Sequence, residues 1–320
     1  MSTTHVAVSP YYSGGLTDKP WMQVDTNASS PFANCIYISV TQFDSSEQDE
    51  TITVSHSCNG GSTWSSPIAV SSQAVYPDVN QFSDLTIGKN GTVYATWQEC
   101  SATGPEGDCG GTQATDYLSK STDGGNTWST PVVVVQPNLA PDTAGCCFYG
   151  QLPNTDERIS DIPVIGVDDS TGAHAGNLYV ATYNWTGSFM QVQVSTSTNG
   201  GATWSAPRVL APTETHDQFF QWLEVSPTGV VGVTWLDRSA DPSNLEYNAV
   251  AAASTNGGAS YHGPAKVSTQ MSNPDNDGFG GGFMGDYTGN AWDGPDTLYQ
   301  SWMDTRTGVS QDETGGYSNS

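Results

Sequence analysis

Three of the four arginines in this chain stand at related positions beside acidic residues. Arg238 and Arg306 follow the similar segments WLD (235–237) and WMD (302–304), and Arg158 lies in a polar segment just before an apolar run. A guanidinium group offers a planar fork of N–H donors that fits a carboxylate. The pattern predicts that the three arginines bind an anionic substrate together. The alternative is that each arginine pairs with a neighbouring aspartate and braces a loop.

Acidic residues recur where short apolar runs begin or end. The runs begin at five aspartates: Asp18, Asp84, Asp161, Asp217 and Asp286. The following runs end at three more acids: Glu99, Asp237 and Asp304. If the runs are strands around an axis, these acids form one rim, in which Asp237, Asp286 and Asp304 are expected to bind substrate beside the arginines. The alternative for any one aspartate is that it only caps a turn.

A repeated turn positions these residues. Four segments share one pattern: SCNGGSTW (57–64), STDGGNTW (121–128), STNGGATW (197–204) and STNGGASY (254–261). Asn-Gly and Asp-Gly supply the positive φ angles of a hairpin turn, and the Asn or Asp side chain bonds nearby backbone amides. The first serines are 64, 76 and 57 residues apart, which is the length of one four-stranded propeller blade with its loops. The repeat therefore predicts an all-β fold, a β-propeller, with hairpins in a β-sandwich as the alternative.

The apolar runs between the turns predict the remaining strands. Innermost strands are expected to start at the five aspartates, and second strands are expected at residues 37–40, 93–97, 178–183, 231–235 and 298–302. The predicted blades cover residues 18–75, 78–135, 158–212, 216–270 and 284–320 of a single domain, 1–320. Residues 4–10 look like an outer strand that completes the last blade and leaves no free sheet edge. Five blades are favoured, with six as the alternative.

The repeated segment resembles the Asp box, or bacterial neuraminidase repeat, with Asn in place of Asp in three of four copies. The chain is thus similar to the sialidase-like superfamily of β-propellers. In that family the box lies on the turn between the third and fourth strands, away from the active site. The resemblance implies that the boxes are structural and that the starts of first strands and the ends of second strands meet on the opposite face. It also implies that Trp64, Trp128 and Trp204 are largely buried and remote from any ligand.

The resemblance further implies roles for a glycoside hydrolase that acts on acidic sugars. Sialidases use a tyrosine nucleophile backed by a glutamate, and a separate carboxylic acid protonates the leaving oxygen. Tyr287 is the expected nucleophile, Glu99 is its base, and Asp18 or Asp161 is the acid. The chain departs from the sialidase pattern because no Arg-Ile-Pro segment occurs near its N-terminus. A non-catalytic binding propeller, or one that assembles with copies of itself, is the alternative function.

Six cysteines favour disulfides and therefore an extracellular or secreted protein. Cys35 and Cys58 are expected to pair at the box end of the first blade. Cys100 and Cys109 bracket a loop at the other end and are expected to close it. The adjacent cysteines at 146 and 147 are left with a strained vicinal ring, free thiols or links to another group.

One segment has the residue types of a calcium site. Asp275 and Asp277 lie in DNDG (275–278), which offers oxygen ligands at alternating positions. The segment lacks the distal bidentate glutamate of an EF-hand. No cofactor is required by the expected chemistry, and calcium is the optional ion. Zinc is not expected, because five scattered histidines and no Cys-x-x-Cys pair offer nothing tetrahedral.

The charge balance restricts the partners. The chain has 33 acidic and 8 basic residues, for a formal net charge of −25. Nucleic acids and anionic membranes are excluded as partners, because binding to either needs clustered Lys and Arg. No apolar run reaches the 18 residues of a membrane span. The expected partner is a carbohydrate or glycoconjugate, with self-association as a further option.

Overall fold

The computed structural model describes residues 11–47, 49–101, 109–143, 149–278, 282–307 and 311–318. These residues form five antiparallel sheets and one turn of 3-10 helix, η1 (Pro274–Asn276). Within each sheet the strands pair in chain order, as successive hairpins do, except that the short last strand of the first sheet pairs with its third strand. The described residues contain no helix with the length and apolarity needed to cross a membrane.

The strands of the five sheets have the following bounds. Sheet 1 contains β1 (Thr17–Val24), β2 (Ile36–Phe43), β3 (Asp49–Ser57), β4 (Ile68–Ala69) and β5 (Ala74–Val75), of which β4 and β5 both pair with β3. Sheet 2 contains β6 (Asp78–Ile87), β7 (Val93–Ser101), β8 (Thr115–Ser121) and β9 (Val132–Val135). Sheet 3 contains β10 (Val164–Val167), β11 (Leu178–Trp185), β12 (Met190–Ser197) and β13 (Arg208–Val209). Sheet 4 contains β14 (Gln218–Val225), β15 (Val231–Asp237), β16 (Asn248–Ser254) and β17 (His262–Lys266), and sheet 5 contains β18 (Gly289–Asp293), β19 (Thr297–Asp304) and β20 (Gln311–Ser318).

The core lies between successive sheets. Each predicted second strand falls inside an observed one, and β15, with the sequence VGVTWLD, is buried along its whole length. One apolar cluster joins Tyr37 of sheet 1 to Leu85 of sheet 2, and another joins Leu118 of sheet 2 to Leu178 of sheet 3. β-Branched and aromatic side chains favour strands such as β15, which pack on both faces. In β19 of sheet 5 buried residues such as Leu298 alternate with exposed ones such as Tyr299, so one face of that strand is exposed.

The four repeated turns share one hydrogen-bond geometry. In the first, the Ser57 hydroxyl donates to Asn59 Oδ1 (2.9 Å) and accepts from the Gly61 amide (3.0 Å), while Asn59 Oδ1 also accepts from the Thr63 amide (3.0 Å). The same three contacts occur in the turns at 121–128, 197–204 and 254–261. Each turn connects the third strand of its sheet to the fourth. The side-chain contacts therefore hold the hairpin closed without further partners.

The repeated turns also join each sheet to the one before it. Gly201, in the turn of sheet 3, has a φ of 82°. A Cβ on Gly201 would lie 2.6 Å from the Leu118 side chain of sheet 2. Both the left-handed backbone and the close approach require glycine at this position. The glycines of the motif thus serve the packing between sheets as well as the turn.

The aromatic residue of each repeated turn packs at the edge of the core. Trp64, Trp128, Trp204 and Tyr261 each keep only a minor part of their surface exposed, so the prediction that the three tryptophans are largely buried is confirmed. Trp128 packs against the cluster between sheets 1 and 2, and Trp204 packs against that between sheets 2 and 3. The tryptophans lie at the sheet boundary and leave one face to solvent.

Both predicted disulfides are present. Cys35 and Cys58 are bonded with their Cα atoms 4.1 Å apart, and Cys100 and Cys109 are bonded with theirs 6.0 Å apart. Cys146 and Cys147 lie outside the described residues, as do residues 4–10, which were expected to close the ring. Sheet 5 accordingly has three strands among the described residues.

The expectation that five aspartates share one register is wrong. Asp18 precedes an irregularity in β1 and pairs with Thr41, whereas Asp84 follows the corresponding irregularity in β6 and pairs with Thr96. The irregularity in β6 includes Phe82, whose φ is 60°. The irregularity in β1 likewise includes a residue of positive φ, Lys19 at 51°, so Asp18 aligns with Gln81 and Asp84 aligns with Trp21. Asp18 is therefore exposed at the rim, and Asp84 is buried deeper along the axis.

Several buried carboxyl groups have no cationic partner among the described residues. Asp84 accepts from the Ile165 and Leu85 amides (2.8 and 2.7 Å), and Asp161 accepts from the Tyr183 amide and Gln221 Nε2 (both 2.8 Å). Burial raises the pKa of both groups to about 7. Burial and the charge of Asp161 raise the pKa of Asp116 well above its usual value. The folded protein therefore holds protons that the unfolded chain releases.

We expect stability to fall as the pH rises. An acid whose folded-state pKa is above its unfolded value near 4 binds more protons in the native state, so the free energy of unfolding decreases between about pH 4 and pH 8. Thermal unfolding monitored by circular dichroism across this range measures the slope. Asp116→Asn removes one carboxyl of the buried pair and should make the slope shallower. A melting temperature that rises steadily from pH 4 to pH 8 would contradict this account.

Candidate functional site

A cavity of about 480 Å³ lies at the end of the sheets opposite the repeated turns. Strand β3 shows the direction, because it runs from the cavity near Glu50 to the repeated turn at Ser57. The lining residues come from the starts of β1 and β6, the β2–β3 connection, and the segments before β10 and β18: Asp18, Lys19, Phe43, Ser46, Glu47, Glu50, Tyr76, Asp78, Val79, Gln81, Phe82, Tyr149, Arg158, Ile159, Ser160 and Asp286. Strand direction therefore placed the candidate site on the expected face.

Asp286 holds both cations of the cavity. It accepts from Lys19 Nζ (2.6 Å), from Arg158 Nη2 (2.7 Å) and from Arg158 Nε (3.0 Å). The backbone carbonyl of Asp286 also accepts from the Ser160 hydroxyl (3.2 Å). The two-pronged contact with the guanidinium fork is the strong form of such a pair. Asp286 thereby joins sheet 1, the start of sheet 3 and the start of sheet 5.

Glu50 is a buried acid with access to the cavity. Its side chain accepts from the Asn80 amide (2.8 Å), and the residue is 7% exposed. Burial raises the pKa of Glu50 to about 8, and the negative charge of Asp18 acts in the same direction. Glu50 is therefore protonated at neutral pH. Asp18 lines the same cavity but is exposed to solvent, so the two carboxyl groups have different environments.

Aromatic residues form the inner wall. Phe82 and Tyr149 contact each other edge to face, with ring centroids 4.5 Å apart. Burial raises the pKa of the Tyr149 hydroxyl well above its usual value, and the charges of Glu50 and Asp18 add to this. The rings of Trp21 and Trp222 also contact each other, with centroids 4.8 Å apart, although the two residues belong to the first strands of sheets 1 and 4. Since these sheets are not successive, the contact fills the centre of the molecule.

The expected pair of Tyr287 and Glu99 is not brought together. Tyr287 is 43% exposed, with its ring 5.1 Å from Lys19 Nζ, and it does not line the cavity. Glu99 pairs with Asn80 and Thr115 in the middle of sheet 2, also outside the cavity lining. A nucleophile and its base must lie within hydrogen-bond reach. Neither residue therefore has the position that the predicted roles require.

Asp161 cannot act as the acid of this cavity. It is completely buried, and its Oδ1 is held by Tyr183 and Gln221 in the interior of sheets 3 and 4. Its raised pKa fits an acid, but no substrate can reach it. Of the two predicted acids, Asp18 alone lines the cavity.

The three arginines do not form a cluster. Arg238 is completely buried, where it pairs with Asp217 Oδ2 (3.5 Å) and donates to the Pro153 carbonyl (2.6 Å). Burial lowers the pKa of Arg238 to about 10 and raises that of Asp217, because both charges are removed from water. Arg238 braces the interior of sheet 4 and offers no donor to a substrate.

Arg306 is likewise held locally. It pairs with Asp304 and donates from Nη1 to the Thr269 hydroxyl (2.9 Å). Asp304 is buried, and its pKa is lowered by hydrogen bonds from Arg306 and Ser272 despite that burial. Asp237 is also buried and accepts from Trp235 Nε1 (3.0 Å). Of the predicted substrate-binding residues, Arg158 and Asp286 line the cavity, whereas Arg238, Arg306, Asp237 and Asp304 do not.

The two predicted calcium ligands, Asp275 and Asp277, differ in their surroundings. Asp275 lies in η1, and Asp277 follows it, buried, with its Oδ2 accepting from the Gly282 and Phe283 amides (3.2 and 3.0 Å). Nearby Glu157 is also buried, and burial and Asp277 raise its pKa to about 8. No group of three His, Cys, Asp or Glu side chains suited to a metal ion occurs in the described part of the chain.

Sequence reasoning missed Glu50, Lys19 and Tyr149. Glu50 stands in the polar segment SSEQDET (45–51), which has no sign of burial. Lys19 is visible only as one of eight basic residues in an acidic chain. The small number of basic residues is the one signal that could have marked Lys19. Tyr149 lies beside residues 144–148, which the structure does not describe, and nothing in its sequence marks it.

No family model and no curated protein matches this chain. A protein of unknown function from Dyadobacter fermentans has a similar structure, with a TM-score of 0.53 and 16% identity over 97% of this chain and 96% of that one. A NanB sialidase from Streptococcus pneumoniae matches with a TM-score of 0.56 and 11% identity, over 96% of this chain and 60% of that one. The GH93 α-L-arabinofuranosidase of Fusarium graminearum matches with a TM-score of 0.54 and 12% identity, over 94% and 76%.

The chain has the sialidase-like β-propeller fold. At these identities the likeness concerns the fold alone, and propellers of one architecture support different functions. The chain spans 60% of the length of the matched sialidase. The chemistry of this propeller must therefore be argued from its own cavity.

We expect Arg238→Ala to destabilise the propeller by about 3–5 kcal/mol, because it leaves the buried Asp217 carboxylate without its partner. Urea unfolding measures the difference from the native protein. Arg208→Ala, on the exposed β13, is the control and should change stability by less than about 0.5 kcal/mol. An Arg238→Ala protein of native stability that loses ligand binding would instead restore the anion-binding role.

Proposed function

We propose that the propeller is a glycoside hydrolase whose active site is the cavity around Glu50 and Asp18. The observation that carries the proposal is the different environment of the two carboxyl groups. Glu50 is buried with a pKa of about 8, and Asp18 is exposed in the same cavity. Hydrolysis of a glycosidic bond commonly uses one protonated and one ionised carboxyl group on either side of the bond.

The roles follow from the burial of Glu50 and the exposure of Asp18. Glu50 donates its proton to the leaving oxygen, and the Asn80 amide (2.8 Å) then helps to hold the carboxylate that remains. Asp18 is the opposing carboxylate, which attacks the sugar or activates a water molecule. Tyr149, in contact with Phe82, forms the wall against which the sugar packs. The stereochemistry of the product distinguishes the two roles of Asp18.

The expected preference for acidic sugars is not part of this proposal. It depended on a cluster of Arg158, Arg238 and Arg306, and two of these are held by their own aspartates away from the cavity. The matched proteins named above include a sialidase and an arabinofuranosidase, so the fold does not choose between anionic and neutral sugars.

A non-catalytic glycan-binding propeller is the second candidate. The contact between Trp21 and Trp222, which fills the centre, favours it, because a packed axis leaves only the cavity at the rim for a ligand. In this case Glu50 and Asp18 would hydrogen-bond a sugar without cleaving it. Self-association belongs to the same candidate.

Three further proposals concern the setting of the protein. The five sheets are five successive blades of one propeller. The two disulfides, Cys35–Cys58 and Cys100–Cys109, favour an oxidising, extracellular location. A calcium ion at Asp275 and Asp277 is supported by their residue types and is tested by the change in melting temperature when EDTA is added.

Glu50→Gln should lower kcat by about 10²–10⁴-fold, because the amide cannot donate the proton that the leaving group needs. The assay is release of reducing sugar from a panel of oligosaccharides and polysaccharides. Glu99→Gln is the matched control: Glu99 is a half-buried glutamate of sheet 2 whose pKa is also raised by burial, and it lies outside the cavity. It should retain native activity.

The pH profile gives a second readout. In the native protein kcat/KM should fall above about pH 8 as Glu50 loses its proton, and this limb should vanish in Glu50→Gln. Full activity of Glu50→Gln would reject the assignment. Glycan binding by the native protein without turnover of any substrate would favour the second candidate.

A further inference from the structure

The charges that line the cavity are unequal. The five carboxyl groups are those of Asp18, Glu47, Glu50, Asp78 and Asp286, and the two cations are Lys19 and Arg158. With Glu50 protonated, four carboxylates face two cations. The space open to a ligand is therefore negative, and an anionic sugar would be repelled by it.

Both cations are already committed within the protein. Asp286 receives Lys19 Nζ (2.6 Å) and two nitrogens of Arg158 (2.7 and 3.0 Å). Aromatic rings cover the same cations: Lys19 Nζ lies 5.7 Å from the Phe82 ring centroid, and the Arg158 guanidinium lies 4.4 Å from that of Phe283. The Lys19 and Asp286 side chains are 14% and 9% exposed, whereas that of Arg158 is 37% exposed. A substrate carboxylate that reaches Arg158 would therefore lie beside the Asp286 carboxylate and be repelled by it.

The remaining walls suit an uncharged sugar. Phe43, Tyr76 and Tyr149 offer ring surfaces to the C–H face of a pyranose or furanose, and Ser46 offers a hydroxyl group to its hydroxyls. A cavity of about 480 Å³ has room for one or two sugar units.

We propose that the sugar bound in this cavity is uncharged, and that Asp286 sets this specificity by keeping Lys19 and Arg158 from the substrate. The inference rests on the proposed function to the extent that the cavity is the glycan site. It does not require that the glycan be cleaved. Asp286 is thus a specificity residue that acts through the two cations it holds.

The test compares matched glycans that differ in one acidic group. The probes are galactose oligosaccharides with oligogalacturonides, and lactose with sialyllactose, and both binding and hydrolysis are measured at constant ionic strength. The native protein should bind the neutral member of at least one pair tenfold or more tightly than the acidic member. Asp286→Asn frees the two cations and should reduce this neutral-to-acidic ratio tenfold or more.

Asp304→Asn is the matched control, because Asp304 holds Arg306 outside the cavity. It should keep the native ratio. A native preference for the acidic glycans, binding of no neutral probe, or an unchanged ratio in a folded Asp286→Asn protein would each overturn the proposal. The native ratio tests the proposal even without a folded variant.

The outcome separates this proposal from the hydrolase proposal. Tight binding of a neutral glycan without cleavage supports the neutral-sugar specificity and rejects catalysis. Cleavage of an acidic glycan in preference to its neutral partner supports catalysis and rejects the specificity.

Discussion

The carboxylate of Asp286 is the contact on which the cavity depends. It lies before sheet 5, yet it holds Lys19 of sheet 1 and Arg158 of the segment before sheet 3. Because this carboxylate is shielded from water, its ion pairs are stronger than those of an exposed pair. The same contacts fix the shape of the rim and pair its two cations, Lys19 and Arg158, with a carboxylate of the protein. Geometry and specificity at this site therefore have a common cause.

Burial of carboxyl groups without cations recurs through the molecule. Asp84 and Asp161 carry raised pKa values in the interior between sheets, where they serve as hydrogen-bonding groups for neighbouring amides. Glu50 is shifted by the same desolvation but also lines a cavity. One physical effect thus makes the fold favour acidic conditions and supplies a proton donor at the candidate site. Access to the cavity, rather than the size of the shift, distinguishes Glu50 from the structural acids.

The sequence predicted what depends on short segments. The repeated turns are closed by contacts within eight residues, so each turn can be recognised from the sequence. Because the turn fixes the direction of the strands beside it, it also predicts the face on which the candidate site lies. Cys35 and Cys58 could be paired because they flank neighbouring ends of two successive strands, where Ile36 of β2 lies opposite Ser57 of β3. The functional residues were harder to predict because their environments come from distant parts of the chain. Glu50 is buried by packing near Asn80, and Asp84 follows the irregularity of its strand whereas Asp18 precedes the same irregularity in β1.

The central claim is that a glycan binds between Glu50 and Asp18 at the rim of the propeller. A crystal structure of the Glu50→Gln protein soaked with the tightest-binding oligosaccharide tests it most directly. The account predicts a sugar ring packed against Tyr149, with its glycosidic oxygen within hydrogen-bond distance of residue 50. An ordered glycan elsewhere on the surface, with this cavity empty, would contradict the account.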